Sequence, residues 1–253
     1  MHAETRKTVL ITGAARGIGT AIAERFIADG CDVILNYRRT QGKGARNIVR
    51  LTELAASKHL RAIPALADIS EPREIENMVA QLTGQGIERI DHLILNAAST
   101  PLKYFREMTP RDWKTLLGTN LIGNVNCVTR ITPLMPPGST ICALSSTGSR
   151  KVMPKYPLGV IKSAVENLVR YLEVELYPQN IRVNGICAGL VKTDMLPILA
   201  RLWTGSLDDA AQPKLPRPLV EPEQIADVVA FLASEQSAAI RGQILIADLG
   251  MQL

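Results

Sequence analysis

The apolar run Val9-Leu10-Ile11 feeds straight into Thr12-Gly13-Ala14-Ala15-Arg16-Gly17-Ile18-Gly19, and a helical pattern (Ala21, Ile22, Ala23, Phe26, Ile27) begins at once. A strand that passes through a glycine turn into a helix commits the chain to a βα unit. Glycines let the backbone reverse sharply and come close to a ligand. The free N–H groups and positive dipole end of a helix N-terminus suit a pyrophosphate. The turn therefore predicts a dinucleotide site on Gly13, Arg16, Gly17, Ile18 and Gly19, with a purely structural turn as the plainer alternative.

The alternation continues along the chain. Strands are predicted at 8–11, 33–36, 61–66, 92–95, 139–144, 181–186 and 243–247, and helices at 17–29, 41–57, 71–84, 110–131, 158–176 and 221–234. Short apolar strands between amphipathic helices predict one doubly wound α/β domain over 1–253, with about seven parallel strands and helices on both faces. At 46% hydrophobic content the chain can bury one sizeable core. The segment 195–218, with Pro197, Gly205, Pro213, Pro216 and an Asp208-Asp209 pair, breaks the pattern. It predicts a lid over a site, or else a surface excursion.

Composition narrows the function. No apolar run reaches the roughly eighteen residues of a membrane span. Met1–Lys7 lacks an apolar secretory core, so a cytoplasmic location is expected. Cys31, Cys127, Cys142 and Cys187 are scattered and read as reduced, mostly buried thiols, without a disulfide or zinc spacing. With only His2, His59 and His92, neither a histidine triad nor a metal centre is expected, and His92 at a strand start reads as structural. A net charge of +5 without a long basic tract suits anionic small ligands, not nucleic acid.

The second strand ends in Asn36-Tyr37-Arg38-Arg39. An acidic residue there would hold free ribose hydroxyls. Arg38 and Arg39 instead suit a ribose 2′-phosphate, with help from Arg16, and so point to NADP(H) over NAD(H); the alternative is that they solvate a helix start. Asp68-Ile69 closes the third strand, where a carboxylate can accept from an adenine amino group or cap the helix near Glu71-Pro72.

Further pieces follow in order: Asn96-Ala97-Ala98, Asn120, Ser145-Ser146, Tyr156 and Lys162, Val183-Asn184, Gly189-Leu190-Val191-Lys192-Thr193, and Gly242-Gln243. With these the chain resembles the short-chain dehydrogenase/reductase family over essentially its whole length. The resemblance implies a Rossmann domain in which Asn96 and Ala97 line the cofactor and Val191 and Thr193 hold the nicotinamide carboxamide and a nearby phosphate. It implies a catalytic set of Asn120, Ser146, Tyr156 and Lys162, with Lys162 also contacting cofactor. It further implies a homodimer or homotetramer joined through the 158–176 helix.

The chemistry is sensible on its own terms. Hydride transfer to an electrophilic carbon leaves negative charge on an oxygen, to which Tyr156 can donate a proton and Ser146 a second hydrogen bond. A phenol titrates near pH 10, and a nearby Lys162 cation is expected to lower it. Asn120 is expected to carry a water that relays protons to Lys162. Singly, each has a plainer role: a turn serine, a solvated lysine, a surface tyrosine.

One departure stands out. The family spaces Tyr and Lys by three residues, but position 158 is Leu158, and the nearest tyrosine is Tyr156. Six residues along a helix rotate a side chain by roughly 240°, so Tyr156 and Lys162 cannot meet within one regular helix. Pro157 disfavours helix at the residue before it and suits a helix start. Tyr156 is therefore predicted in the loop before the helix, with its ring reaching back toward the site.

This arrangement resembles the enoyl-acyl-carrier-protein reductases of the third type, which place a tyrosine ten residues after the serine, as here from Ser146 to Tyr156. Asn96-Ala97-Ala98-Ser99, Gly159-Val160-Ile161-Lys162 and Ile240-Arg241-Gly242-Gln243 agree. Leu95, Leu249 and a Tyr-to-Lys gap one residue short do not.

The apolar stretch Met195–Trp203 suits a hydrophobic acyl or polyketide substrate, or equally core or subunit packing. Arg150, Lys151 and Lys155 suit the phosphate of a coenzyme A or acyl-carrier-protein arm, or are a solvated loop. The leading expectation is an NADPH-dependent reductase of an enoyl thioester. The alternatives are a ketoreductase on a β-ketoacyl or polyketide carbonyl, and a non-catalytic NADP-binding sensor or scaffold.

Overall fold

The computed structural model describes residues 6–203 and 219–253. Seven strands form one parallel sheet: β1 (Thr8–Ile11), β2 (Asp32–Tyr37), β3 (Ala62–Leu66), β4 (His92–Leu95), β5 (Thr140–Ser146), β6 (Arg182–Ala188) and β7 (Ile244–Ala247). Their order is β3-β2-β1-β4-β5-β6-β7. The helices are α1 (Gly17–Ala28), α2 (Lys43–Ser57), α3 (Pro72–Gly84), α4 (Pro110–Leu117), α5 (Gly123–Ile131), α6 (Leu158–Leu176), α7 (Leu196–Trp203) and α8 (Pro222–Ala233).

The central strands are buried on both faces, which is why they read as continuous apolar runs rather than alternating ones. One core layer joins Val9, Ile11 and Val33 to Ile22 and Phe26 of α1 and Val229 of α8. The other joins Leu10, Ile34 and Leu93 to Met78 of α3, Ile131 of α5 and Val169 of α6. The order reverses between β1 and β4, so a crevice opens beyond the carboxyl ends of the strands, where such sheets bind ligands. The glycine turn, Arg38, Asp68, Asn96, Ser146 and Gly189 all follow or end strands at that edge.

Two boundaries differ instructively from expectation. The single helix expected over 110–131 is interrupted by a π turn at Gly118–Ile122. A Cβ at Gly123 would sit 2.6 Å from the Ile69 carbonyl oxygen, so the segment packs backbone to backbone against the loop after β3. The apolar spacing continues through the break and gives no sign of it. Strand β5 runs on to Ser146 because Ser145 and Ser146 pair with Cys187 and Ala188 of β6.

His92 is structural: its Nδ1 lies 2.8 Å from Thr140 Oγ1, it stacks on Phe26, and burial pushes it down to about 4. All four cysteines are buried free thiols. Among the described residues no helix is long and apolar enough to cross a membrane. Helix α7 begins the stretch expected as a lid, and Leu196 is buried beside Leu190 and Met153; the remainder of that stretch, 204–218, lies outside the described residues.

Candidate active site

The glycine turn is latched from three sides. Thr12 Oγ1 donates to the Ile94 carbonyl at 3.1 Å and accepts from the backbone N–H groups of Asn96 (2.9 Å) and Ala97 (3.1 Å). The Asn96 amide donates to the carbonyls of Thr12 and Gly13 at 2.9 and 3.1 Å. Asn36 accepts from the Gly13 N–H at 3.3 Å and donates to the carbonyls of Ala65 and Ala67. Gly13 is left-handed, at φ +68°, and a Cβ there would lie 2.9 Å from the Ala97 Cα. A Cβ at Gly19 would lie 2.3 Å from the Gly13 oxygen.

Helix α1 starts from an extended Arg16 with no side-chain cap and no acidic residue in its first turn. Its first N–H groups are therefore open to an anion. Ile18 is half-buried against the core behind the turn. Thr193 approaches from the far side, its methyl 3.1 Å from where a Gly17 Cβ would be, and Val191 is held by a bridge to Val220. A turn that excludes β-carbons beside an uncapped helix end fits a dinucleotide diphosphate.

At the adenosine end, Arg38 and Arg39 are exposed, and Arg38 pairs with Asp68 at 3.3 Å. Burial would raise the Asp68 carboxyl, but two hydrogen bonds from Ser70 and the Arg38 charge outweigh it and hold the carboxyl low. Asp68 does not cap α3, whose cap position is Glu71 without a side-chain bond. Ile69 is buried in the loop after β3. Lys43 bonds Asp194 at 2.8 Å across a cavity of about 210 Å³ that Gly17, Thr20, Asn47 and Thr193 also line.

Ser146 ends β5, and Tyr156 lies in the loop before α6, as the sequence predicts. Their hydroxyl oxygens are 3.5 Å apart, at the long limit of a hydrogen bond. The expected lowering of the phenol is absent. Burial pushes the Tyr156 hydroxyl up, and the bond to Ser146 opposes it only in part. Lys162 is 4% exposed, and its Nζ donates to the Leu144 carbonyl at 2.5 Å.

The Asn120 amide is committed within the protein. It donates to the carbonyls of Ser99 (2.6 Å) and Leu116 (2.7 Å) and accepts from the Ser99 N–H (3.1 Å). It clamps the π turn to the loop after β4, which leaves its two donors nothing for a relayed water.

Glu166, one turn beyond Lys162, was not singled out by sequence reasoning. It is buried and accepts from Ser145 Oγ at 2.8 Å, from Ser149 Oγ at 2.5 Å and from Arg150 at 3.2 Å. It pins both sides of Ser146. Its spacing from Lys162 puts the two on one helix face, and that is the signal that could have found it.

Burial pushes Lys162 down to about 8. In an unfolded chain a lysine titrates at about 10.4. Below pH 8 both states are protonated and the folded state carries the full penalty of a buried cation. Between these values the unfolded state binds more protons, so stability from this group rises with pH. Wild type is expected to gain urea midpoint relative to Lys162→Met as pH goes from 7 to 10. A gap that stays constant would contradict the buried ammonium.

Comparison with known proteins agrees with this geometry. The family model described as Enoyl-(Acyl carrier protein) reductase matches residues 13–252. The 1-cyclohexenylcarbonyl-CoA reductase of Streptomyces collinus is 30% identical, over 99% of this chain and 89% of that protein. The 3-oxoacyl-[acyl-carrier-protein] reductase FabG of Staphylococcus epidermidis is 28% identical, over 98% of this chain and 99% of that protein. A short-chain dehydrogenase from Burkholderia cenocepacia J2315, solved in complex with NADP, superposes with a TM-score of 0.86 at 26% identity, covering 98% of each chain. By its sheet, its site and these relatives, the chain belongs to the short-chain dehydrogenase/reductase family of oxidoreductases.

Proposed function

We propose that the chain is an NADPH-dependent reductase of an α,β-unsaturated acyl thioester. The observation that carries this reading is the Ser146–Tyr156 hydroxyl pair at the end of β5. Bound NADPH would supply the hydride. Gly13, Arg16, Gly17, Ile18 and Gly19 would hold its diphosphate, and Arg38 and Arg39 its 2′-phosphate. Asp68, Ile69, Asn96, Ala97, Val191 and Thr193 would line the rest, with Lys162 contacting the nicotinamide ribose.

Tyr156 donates its proton to the substrate oxygen as charge develops there, and Ser146 Oγ gives that oxygen a second donor. Raised by burial, the phenol holds its proton at neutral pH and gives it up only to an oxygen that is gaining negative charge. Lys162 bonds the Leu144 carbonyl of β5, two residues before Ser146. Asn120 holds the π turn and the Ser99 loop in register. Arg150 is engaged with Glu166, so the cations left for the phosphate of a coenzyme A or carrier-protein arm are Lys151, which is exposed, and Lys155, which lies over the Tyr104 ring at 5.1 Å. The exposed Tyr171 and Val174 on α6 support self-association of the chain.

The displaced tyrosine, the family model and the Streptomyces collinus relative favour an enoyl substrate. A β-ketoacyl substrate is the second reading, supported by the FabG relative; Tyr156 would then protonate the new alkoxide. NADPH oxidation with crotonyl-CoA and acetoacetyl-CoA separates them. The account expects consumption with crotonyl-CoA; consumption with acetoacetyl-CoA alone makes the chain a ketoreductase.

A further inference from the structure

The tyrosine that reaches Ser146 does not stand on the lysine helix. Leu158, where the family's tyrosine would be, is 4% exposed and packs with Leu116 and Ile161. Tyr156 arrives instead from a tight turn. Lys155 is left-handed at φ +58°, the Tyr156 N–H donates to the Met153 carbonyl at 3.3 Å, and the Gly159 N–H donates to the Tyr156 carbonyl at 3.1 Å.

The ring then lies against the turn that follows β5. A Cβ at Gly148 would sit 2.7 Å from Cε1 and 2.8 Å from Cδ1 of Tyr156. The same turn is seated on α6, since a Cβ at Gly159 would sit 2.3 Å from the Gly148 carbonyl oxygen. The two glycines make room for different things. Gly159 makes room for backbone. Gly148 makes room for the tyrosine ring, its nearest backbone neighbour being the Gly159 Cα at an ordinary 3.4 Å. Gly148 is also outside the left-handed region, so alanine fits its backbone.

We propose that Gly148 is a positioning residue for Tyr156: the missing β-carbon lets a tyrosine from outside the lysine helix bring its hydroxyl to Ser146. This rests on the reading of Tyr156 as proton donor and adds what fixes its place. An alanine methyl overlaps the ring of a half-buried side chain and stands at ordinary contact distance from the nearest backbone. A shift of about 1 Å at a reacting group is worth about 10²-fold in rate.

The test combines a crystal structure of Gly148→Ala with a kinetic cycle on Tyr156→Phe. NADPH oxidation is followed with crotonyl-CoA and acetoacetyl-CoA. Expected for Gly148→Ala are a kcat lowered about 10- to 100-fold, an unchanged KM for NADPH, an unchanged urea midpoint, and a Tyr156 hydroxyl moved out of reach of Ser146. In the Tyr156→Phe background the same alanine should change the rate less than about twofold, because no hydroxyl is left to misplace. A ring that stays beside Ser146 in the variant, an equal loss in both backgrounds, or a collapse of the urea midpoint each overturns the proposal. A displaced ring with undiminished turnover upholds the positioning and overturns Tyr156 as donor, so the two claims fail separately.

Discussion

Tyr156→Phe is expected to lower kcat about 10²- to 10⁴-fold while leaving the urea midpoint and NADPH affinity essentially unchanged. The substitution removes one oxygen from a half-buried ring and keeps its packing. Among the described residues, Tyr156 is the one whose hydroxyl lies against that of Ser146. The Ser146 hydroxyl is far too weak an acid, and the Lys162 ammonium is turned toward the Leu144 carbonyl. Since burial holds the Tyr156 phenol above its ordinary value, it stays protonated through neutral pH. Initial rates with crotonyl-CoA at saturating NADPH check this. A variant that turns over like wild type would remove Tyr156 from the chemistry.

The second large effect concerns the cofactor. Arg38→Ala with Arg39→Ala is expected to cut the preference for NADPH over NADH about 10²-fold, because charge-assisted bonds to a phosphate contribute about 1.5–3 kcal/mol each. The two arginines are not equivalent. Arg38 also pairs with Asp68, and its loss would leave that carboxylate, held low by Ser70, unneutralised near the proposed 2′-phosphate site. Arg38→Ala alone should therefore weaken NADPH more than Arg39→Ala alone, and adding Asp68→Asn to Arg38→Ala should recover part of the loss. Affinities for both nucleotides from fluorescence titration decide it. Equal weakening toward NADPH and NADH would place neither arginine at the 2′-phosphate.

What the sequence revealed follows from what kind of physics sets each feature. Strands β1 and β4 and helix α6 have their expected limits because apolar runs and the Tyr156-Pro157 boundary are local signals. The glycine turn was legible for the same reason. Its latches were not: Thr12 and Asn36 are polar residues at strand ends and acquire meaning only when Ile94, Gly13 and Ala65 come alongside. The π turn at Gly118–Ile122 depends on close approach to Ile69, a tertiary fact. The sequence put Tyr156 in the loop correctly but gave the wrong direction for its acidity. Burial raises the phenol, and the Lys162 ammonium bonds the Leu144 carbonyl. Gly148 carries no sequence signal at all; only the ring lying on it shows its use.

The most direct test of the reductase reading is to supply NADPH deuterated at the transferable C4 position together with crotonyl-CoA and to examine the product by mass spectrometry. The account predicts butyryl-CoA carrying one deuterium at the β carbon, formed about 10²-fold or more slowly by Tyr156→Phe. Unlabelled butyryl-CoA, or no product from a protein that binds NADPH, would contradict it.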